Sequence, residues 1–424
     1  MAHRPRRATR QHGVASLAVV ILLFFAMTIV VVFTHRALLT EQRIAENQVR
    51  STQAAEAAEA GLEWAIARLN DAARVDAACL PGDDADVPAS FRDRYFPFDV
   101  TTRTFVPAVW NDGGTLRPLQ AACVRDDSGW TCHCPTGGAP VLAGAASGRT
   151  APAFSLEFAA GARPGIVRVV STGCTRSSGV CSSTSETARE ASVRVEVALA
   201  LVPGLRAAPA AALTVRGTVS AGNAQLGVHN RDGASGLAVH AGGSVSASAL
   251  RLGLAAGSSS ADSVVANDPG LSGLDDDAFF ARYFGMTRAA WSTQPAVVRI
   301  ACDGPCGAAI AAAVAKGASL IAVEGDLDID GPLRLGSVER PVVVVASGMA
   351  RLNGDVAVNG VLFAAGIAWR NAAGPEALIR GAVVSASDYG GDAAADIDYD
   401  AAVLEHLQRA TGSLARVSGS WKDF

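Results

Sequence analysis

Charge is scarce in this chain. Only 18% of its 424 residues are Asp, Glu, Lys or Arg, and the two signs nearly cancel at a formal −4. Beyond the first twelve residues there is no basic patch of the kind that grips a phosphate backbone, so nucleic acid is not expected as a partner. Aromatics are also few, at 6% against 43 glycines, which favours small and β-branched cores joined by tight turns over a helical bundle. No cysteine precedes residue 79. Glycines are not massed ahead of a helix as a phosphate loop requires. His229, His240 and His406 lack a Ser or Cys partner in a catalytic setting. No enzymatic activity is expected.

The carboxylates deserve separate weighing, because parallel β-helices host polysaccharide lyases and hydrolases that use acidic pairs. Asp326, Asp328 and Asp330 alternate with Leu327 and Ile329, which places all three on the outward face of one strand. Asp275, Asp276 and Asp277 sit at a helix start, where carboxylates cap the backbone and favour the dipole. Asp392, Asp396, Asp398 and Asp400 fall in a loop-like stretch. Solvated face or cap is the expected role of each. Calcium, held by oxygen ligands, has its best place at Asp396 to Asp400; no other cofactor is expected.

What the chain does have is a long apolar run near its start. A basic leader, residues 1–13, carries Arg4, Arg6, Arg7 and Arg10, and a charge-free stretch follows from Val14 to Thr34. About 20 apolar residues suffice to cross a bilayer as a helix, and the arginines put its start on the cytoplasmic side. The run is too long for an ordinary cleaved signal, and no small-residue cleavage site follows it. Residues 37–70 instead contain no proline and are rich in Ala, Leu, Glu, Gln and Arg, strong helix formers. Ala54, Ala55, Ala58, Leu62, Ala65, Ile66 and Leu69 repeat at helical spacing and make one apolar stripe, with Gly61 the weak point. A continuous helix over 14–70 would be about 85 Å long.

This design resembles the type IV pilin-like proteins. The stretch Gln11-His-Gly-Val-Ala-Ser-Leu-Ala-Val-Val-Ile-Leu-Leu, with Leu39-Thr-Glu-Gln-Arg-Ile-Ala-Glu-Asn and Gln53-Ala-Ala-Glu-Ala-Ala-Glu-Ala-Gly-Leu, is most similar to the PilX N-terminal family of pilus assembly proteins. The segment Phe279-Phe-Ala-Arg-Tyr-Phe-Gly-Met and the ending Gly419-Ser-Trp-Lys-Asp-Phe resemble the larger PilX-like members. The resemblance implies cleavage by a prepilin peptidase between Gly13 and Val14, methylation of Val14, an inner-membrane anchor with the C-terminal region periplasmic, and later transfer to a pilus at the cell surface. The implied partners are other minor pilins and the pilus assembly machinery.

Two residues depart from the major-pilin pattern: Val14 stands where those proteins have Phe, and Ala18 where they have Glu at the fifth mature position. A buried ammonium without a carboxylate partner is costly. The departure therefore suits a tip or priming subunit, with a β body that can adhere. Alternatives are the tip pseudopilin of a type II secretion system, a carbohydrate-binding or -degrading β-helix on a membrane anchor, and a plain signal-anchored envelope protein.

All eight cysteines follow the membrane segment, as disulfides in an oxidising compartment would. Cys174 and Cys181 bracket a Ser/Gly-rich loop, and Cys302 and Cys306 flank a short turn; both make plausible local bridges. The pairing of Cys79, Cys123, Cys132 and Cys134 is open. The cluster Cys123, Cys132, His133 and Cys134 has irregular spacing for zinc.

The expected fold is α+β, mostly β. Residues 71–205 read as a pilin-like antiparallel domain, irregular from Cys79 to Gly148, with strands over 153–159, 165–171 and 191–202. Residues 206–404 carry Gly-cornered β phrases that recur about every 18 to 26 residues, which favours a parallel β-solenoid over an antiparallel sandwich. An insertion at 267–316 holds an amphipathic helix, Leu274 to Met286, whose aromatics are expected to cover an open end of that solenoid, and a small-residue helix from Ala308 to Ala318. Residues 405–424 form a tail.

Overall fold

The computed structural model describes residues 14–82, 89–142, 151–176, 181, 191–222, 225–246, 250–302, 304–372 and 374–423. One helix, α1 (Val14–Asn70), dominates it. Its apolar half is exposed from Ser16 to Val49, and its second half lies on an antiparallel sheet. Ala54, Ala58, Leu62, Ala65 and Leu69 are buried there, while Ile66 is half-buried. The stripe meets Phe154, Leu156, Phe158, Val169, Val197 and Leu199 of the sheet.

The sheet order is Gly412–Arg416, Ser192–Pro203, Ile166–Arg176, Ala151–Ala160, Ala121–Asp126, Gly129–His133, with Lys422–Asp423 also on Ser192–Pro203. Residues 405–424 are thus no separate tail: Leu414 pairs with Leu201 and Asp423 with Val195. The helix end is stitched to that strand, since Asn70 Nδ2 donates to Leu414 O (3.0 Å) and Leu414 N donates to Asn70 Oδ1 (2.7 Å). The described part of the Cys79–Gly148 stretch is also less irregular than expected. It holds a short helix, Phe91–Tyr95, and the hairpins Val109–Asp112/Thr115–Pro118 and Ala121–Asp126/Gly129–His133. Their turns contain Asp112-Gly113-Gly114 and Asp126-Asp127-Ser128-Gly129, side chains and glycines that favour tight reversals.

Between Pro203 and Gly412 the chain leaves this sheet and builds two all-parallel sheets, of twelve and five described strands. The parallel pairing excludes the antiparallel sandwich. From Leu320 on, the chain passes repeatedly between the two sheets: Leu320–Glu324, Val342–Ala346 and Leu378–Ser385 lie in the larger, Leu327–Asp330, Met349–Asn353 and Tyr389–Gly391 in the smaller. Ile321 pairs with Val344, Val344 with Leu362, and Leu362 with Val383, steps of 23, 18 and 21 residues. Val342, Gly360 and Gly381 stack at one bend, and both glycines have positive φ. A Cβ on Gly360 would lie 1.7 Å from Val342 O, so only glycine fits that corner.

The two blocks of repeats form one stack in swapped order. Leu213, from the first block, pairs with Val383 at the end of the second, and Val239 and Val264 follow outward. The 267–316 segment is therefore the return path, running from the Val264 end back to the strand Val297–Ala301 at the other end. On the way, α2 (Asp276–Phe284) and α3 (Arg288–Ser292) bury Phe279, Phe280, Phe284 and Trp291 against Val343, Val345, Val361, Phe363 and Val384. The aromatics thus cover a sheet face, not an open end as expected. The reason lies in the strands: both faces of Val342–Ala346 are apolar, so its outer face needs a lid.

The end of the stack is closed instead by α4 (Gly307–Ala315), whose Ile310 joins the interior core. An open sheet edge needs such covering. Near the exit, α5 (Ala401–Arg409), capped by Asp400, packs Leu404 and Leu407 on the same face as α2.

Candidate assembly surface

The feature that distinguishes this chain is the free half of α1. Phe24 is 71% exposed and Phe33 69%, and the large apolar side chains from Leu17 to Phe33 are exposed around the whole helix. A rod greasy on every side cannot rest stably in water. Its hydroxyls are satisfied internally: Thr28 Oγ1 donates to Phe24 O and Thr34 Oγ1 to Val30 O, each at 2.7 Å. Both features suit lipid, where polar groups must find partners within the helix. Among the described residues this is one helix long and apolar enough to cross a membrane. Polar residues resume beyond it, with Arg50 within 3.6 Å of Glu46.

The second half of the helix packs closely on the body. Gly61, which looks in the sequence like a flaw in the helix, faces Phe154 and Ser171; an added Cβ would lie 2.9 Å from the ring and 2.3 Å from Ser171 Oγ. Gly173, on the facing strand, lies under the helix backbone. Two glycines thus let helix and sheet approach closely. Of the processing pair, Gly13 lies outside the described residues, and Val14 begins α1.

The cysteines pair as Cys79–Cys134, Cys123–Cys132, Cys174–Cys181 and Cys302–Cys306. The first ties the segment after α1 to the end of the outer hairpin, the second crosses that hairpin, and the last pins the strand Val297–Ala301 to the start of α4. The thiols considered for zinc are consumed in disulfides, and His133 Nδ1 accepts from Val141 N at 3.0 Å.

Most of the acidic groups are engaged as well. Asp326 and Asp328 pair with Arg351 at 2.7 and 3.1 Å, and Asp330 accepts from Asn353 at 2.8 Å, a ladder across neighbouring strands. The Met349 amide, and after it the Arg351 side chain, hold the Asp326 carboxyl below its ordinary range. Asp275 caps α2 through Ala278 N, and Asp276 pairs with Arg216 at 2.5 Å. Asp396 contacts His229 and Arg251, and Asp400 accepts from Ala402 N and Val403 N. Among the described residues no three His, Cys, Asp or Glu gather as a metal site.

Comparison with known proteins agrees with the rod. Residues 12–63 match the PilX N-terminal family. Among solved structures, the chain is similar to the competence-associated pilin ComZ from Thermus thermophilus, at 13% identity over 88% of this chain and 97% of that one. The TM-score is 0.21, too low to carry an argument about the fold. No curated protein matches.

Proposed function

We propose that this chain is a minor pilin of a type IV pilus, non-enzymatic, with α1 as its membrane anchor and assembly handle. One observation carries the reading: the segment that matches the PilX N-terminal family is the same segment that leaves an apolar rod bare and then locks it to a β body. On this reading a prepilin peptidase cuts between Gly13 and Val14, and the new amino terminus is methylated. The helix sits in the inner membrane with the body in the periplasm until the subunit joins a filament with other minor pilins. Ala18 leaves a neighbour's amino terminus without a carboxylate, which suits the tip or the priming complex.

The parallel stack is read as a β-solenoid carried at the filament end, where it is presented for adhesion. Its place between two neighbouring strands of the pilin-like sheet suits that load, because the chain leaves and returns at one point: Gly204 N donates to Thr411 O at 2.8 Å. Immunogold labelling of sheared filaments tests the reading. Label confined to filament ends is expected, and label along the whole length would refute tip placement.

A further inference from the structure

A cavity of about 300 Å³ lies at the seam between the pilin-like body and the parallel stack. Phe98, Phe105 and Leu320 give it an apolar wall, and Arg74 and Arg92 give it two guanidinium groups. Its acids are already committed. Asp71 pairs with Arg68 at 3.4 Å, Asp93 with Arg340 at 3.7 Å, and Glu339 is exposed and bonded to Ser337.

That leaves both cations without a salt bridge among the described residues, although burial lowers the Arg92 pKa and the nearby Asp93 charge partly offsets this. Arg92 is held by backbone alone, its Nε donating to Leu69 O and its Nη2 to Gly412 O, each at 2.8 Å. Arg74 is worse placed, since its Nε is buried with no hydrogen-bond partner. Such a group carries an unmet desolvation penalty until something completes it. A planar guanidinium is best completed by a carboxylate, which it can bind through two parallel hydrogen bonds.

We propose that this seam cavity binds a small organic carboxylate, its anionic end on Arg74 and Arg92 and its apolar part against Phe98, Phe105 and Leu320. The cavity is within the size range of small-molecule sites, and its lining sets that apolar wall beside polar groups, Asn70, Ser90, Ser319, His406 and Thr411 among them. Because its walls come from both parts of the molecule, an occupant also fastens one to the other.

Benzoate is a suitable probe, with benzamide as its uncharged counterpart and inorganic phosphate as an anion without an apolar part. Titration calorimetry on the full chain in detergent micelles should show saturable binding of benzoate and none of benzamide. Arg74→Gln should weaken benzoate by about tenfold or more. Arg74 makes no hydrogen bond through Nε, so this variant should fold; an unchanged circular dichroism spectrum and an unchanged disulfide pattern check that. Absence of benzoate binding, equal binding by Arg74→Gln, or binding of phosphate in preference to benzoate would each overturn the assignment.

Discussion

Replacing Gly173 by alanine isolates the contact that joins the rod to the body. A Cβ at that position would lie 2.1 Å from Ala54 O and 2.3 Å from Ala58 N. Both are backbone atoms of α1, so neither can rotate away. Restoring an ordinary contact requires the helix and the strand Ile166–Arg176 to part by about 1 Å, which forfeits a quarter to a half of each dispersion contact across the gap. Overpacking of this kind costs about 1–3 kcal/mol, and a clash with backbone on both sides belongs at the upper end. Gly61→Ala is subtler. Helix propensity alone would stabilise the variant by about 1 kcal/mol, but the contacts to Ser171 and Phe154 oppose it, and a net loss of about 1 kcal/mol is expected.

Hydrogen exchange read by mass spectrometry on the full chain in micelles separates these effects from events in the parallel stack. Residues 54–69 should exchange about 100-fold faster in Gly173→Ala if the loss is near 3 kcal/mol. Gly137→Ala, where an added Cβ meets nothing within 4 Å, is the control and should change little. Exchange in Gly173→Ala as slow as in the natural chain would refute the close-approach argument. A Gly61→Ala variant more stable than the parent would show that propensity, not packing, governs that site.

Further outcomes follow from the same structure. Removing the Cys79–Cys134 bridge, which spans 55 residues, should cost about 4 kcal/mol, against about 2 kcal/mol for Cys302–Cys306, which spans 4; denaturant midpoints of the double-serine variants give the order. Leu23→Asp or Ile29→Asp should block membrane insertion, at a cost of about 2.5–3.5 kcal/mol; normal piliation in either variant would count against the anchor. His406 has its pKa lowered by burial, partly offset by Asp93. Because the folded state binds that proton less readily than the unfolded chain, the contribution is whole above the unfolded value of about 6.5 and falls as pH drops below it. Protection factors in residues 401–409, taken against the slower intrinsic exchange of amides in acid, should therefore fall in mild acid, and His406→Gln should flatten the dependence.

Much of the local design is legible in the sequence. The apolar run, the stripe from Ala54 to Leu69 and the alternating strands all appear where period and composition place them, because each is fixed by neighbours a few residues away. What period cannot reveal is which strand lies beside which. Leu213 against Val383, or Leu414 against Leu201, joins residues far apart in the chain through backbone hydrogen bonds that any side chain permits. The swapped order of the repeat blocks follows from such pairings, and with it the role of the aromatic segment as a lid over a face. The continuous run Val342 to Ala346 did carry a signal, since a strand apolar on both sides is covered on both. Arg74 carried none, because its missing partner shows only when the seam is assembled.

The anchor-and-handle account is tested most directly by the amino terminus of the protein recovered from sheared pili. Mass spectrometry should find a chain beginning at methylated Val14, present in the fibre fraction. A chain that keeps Met1 and its arginines, and stays in the membrane fraction while pili form, would contradict it.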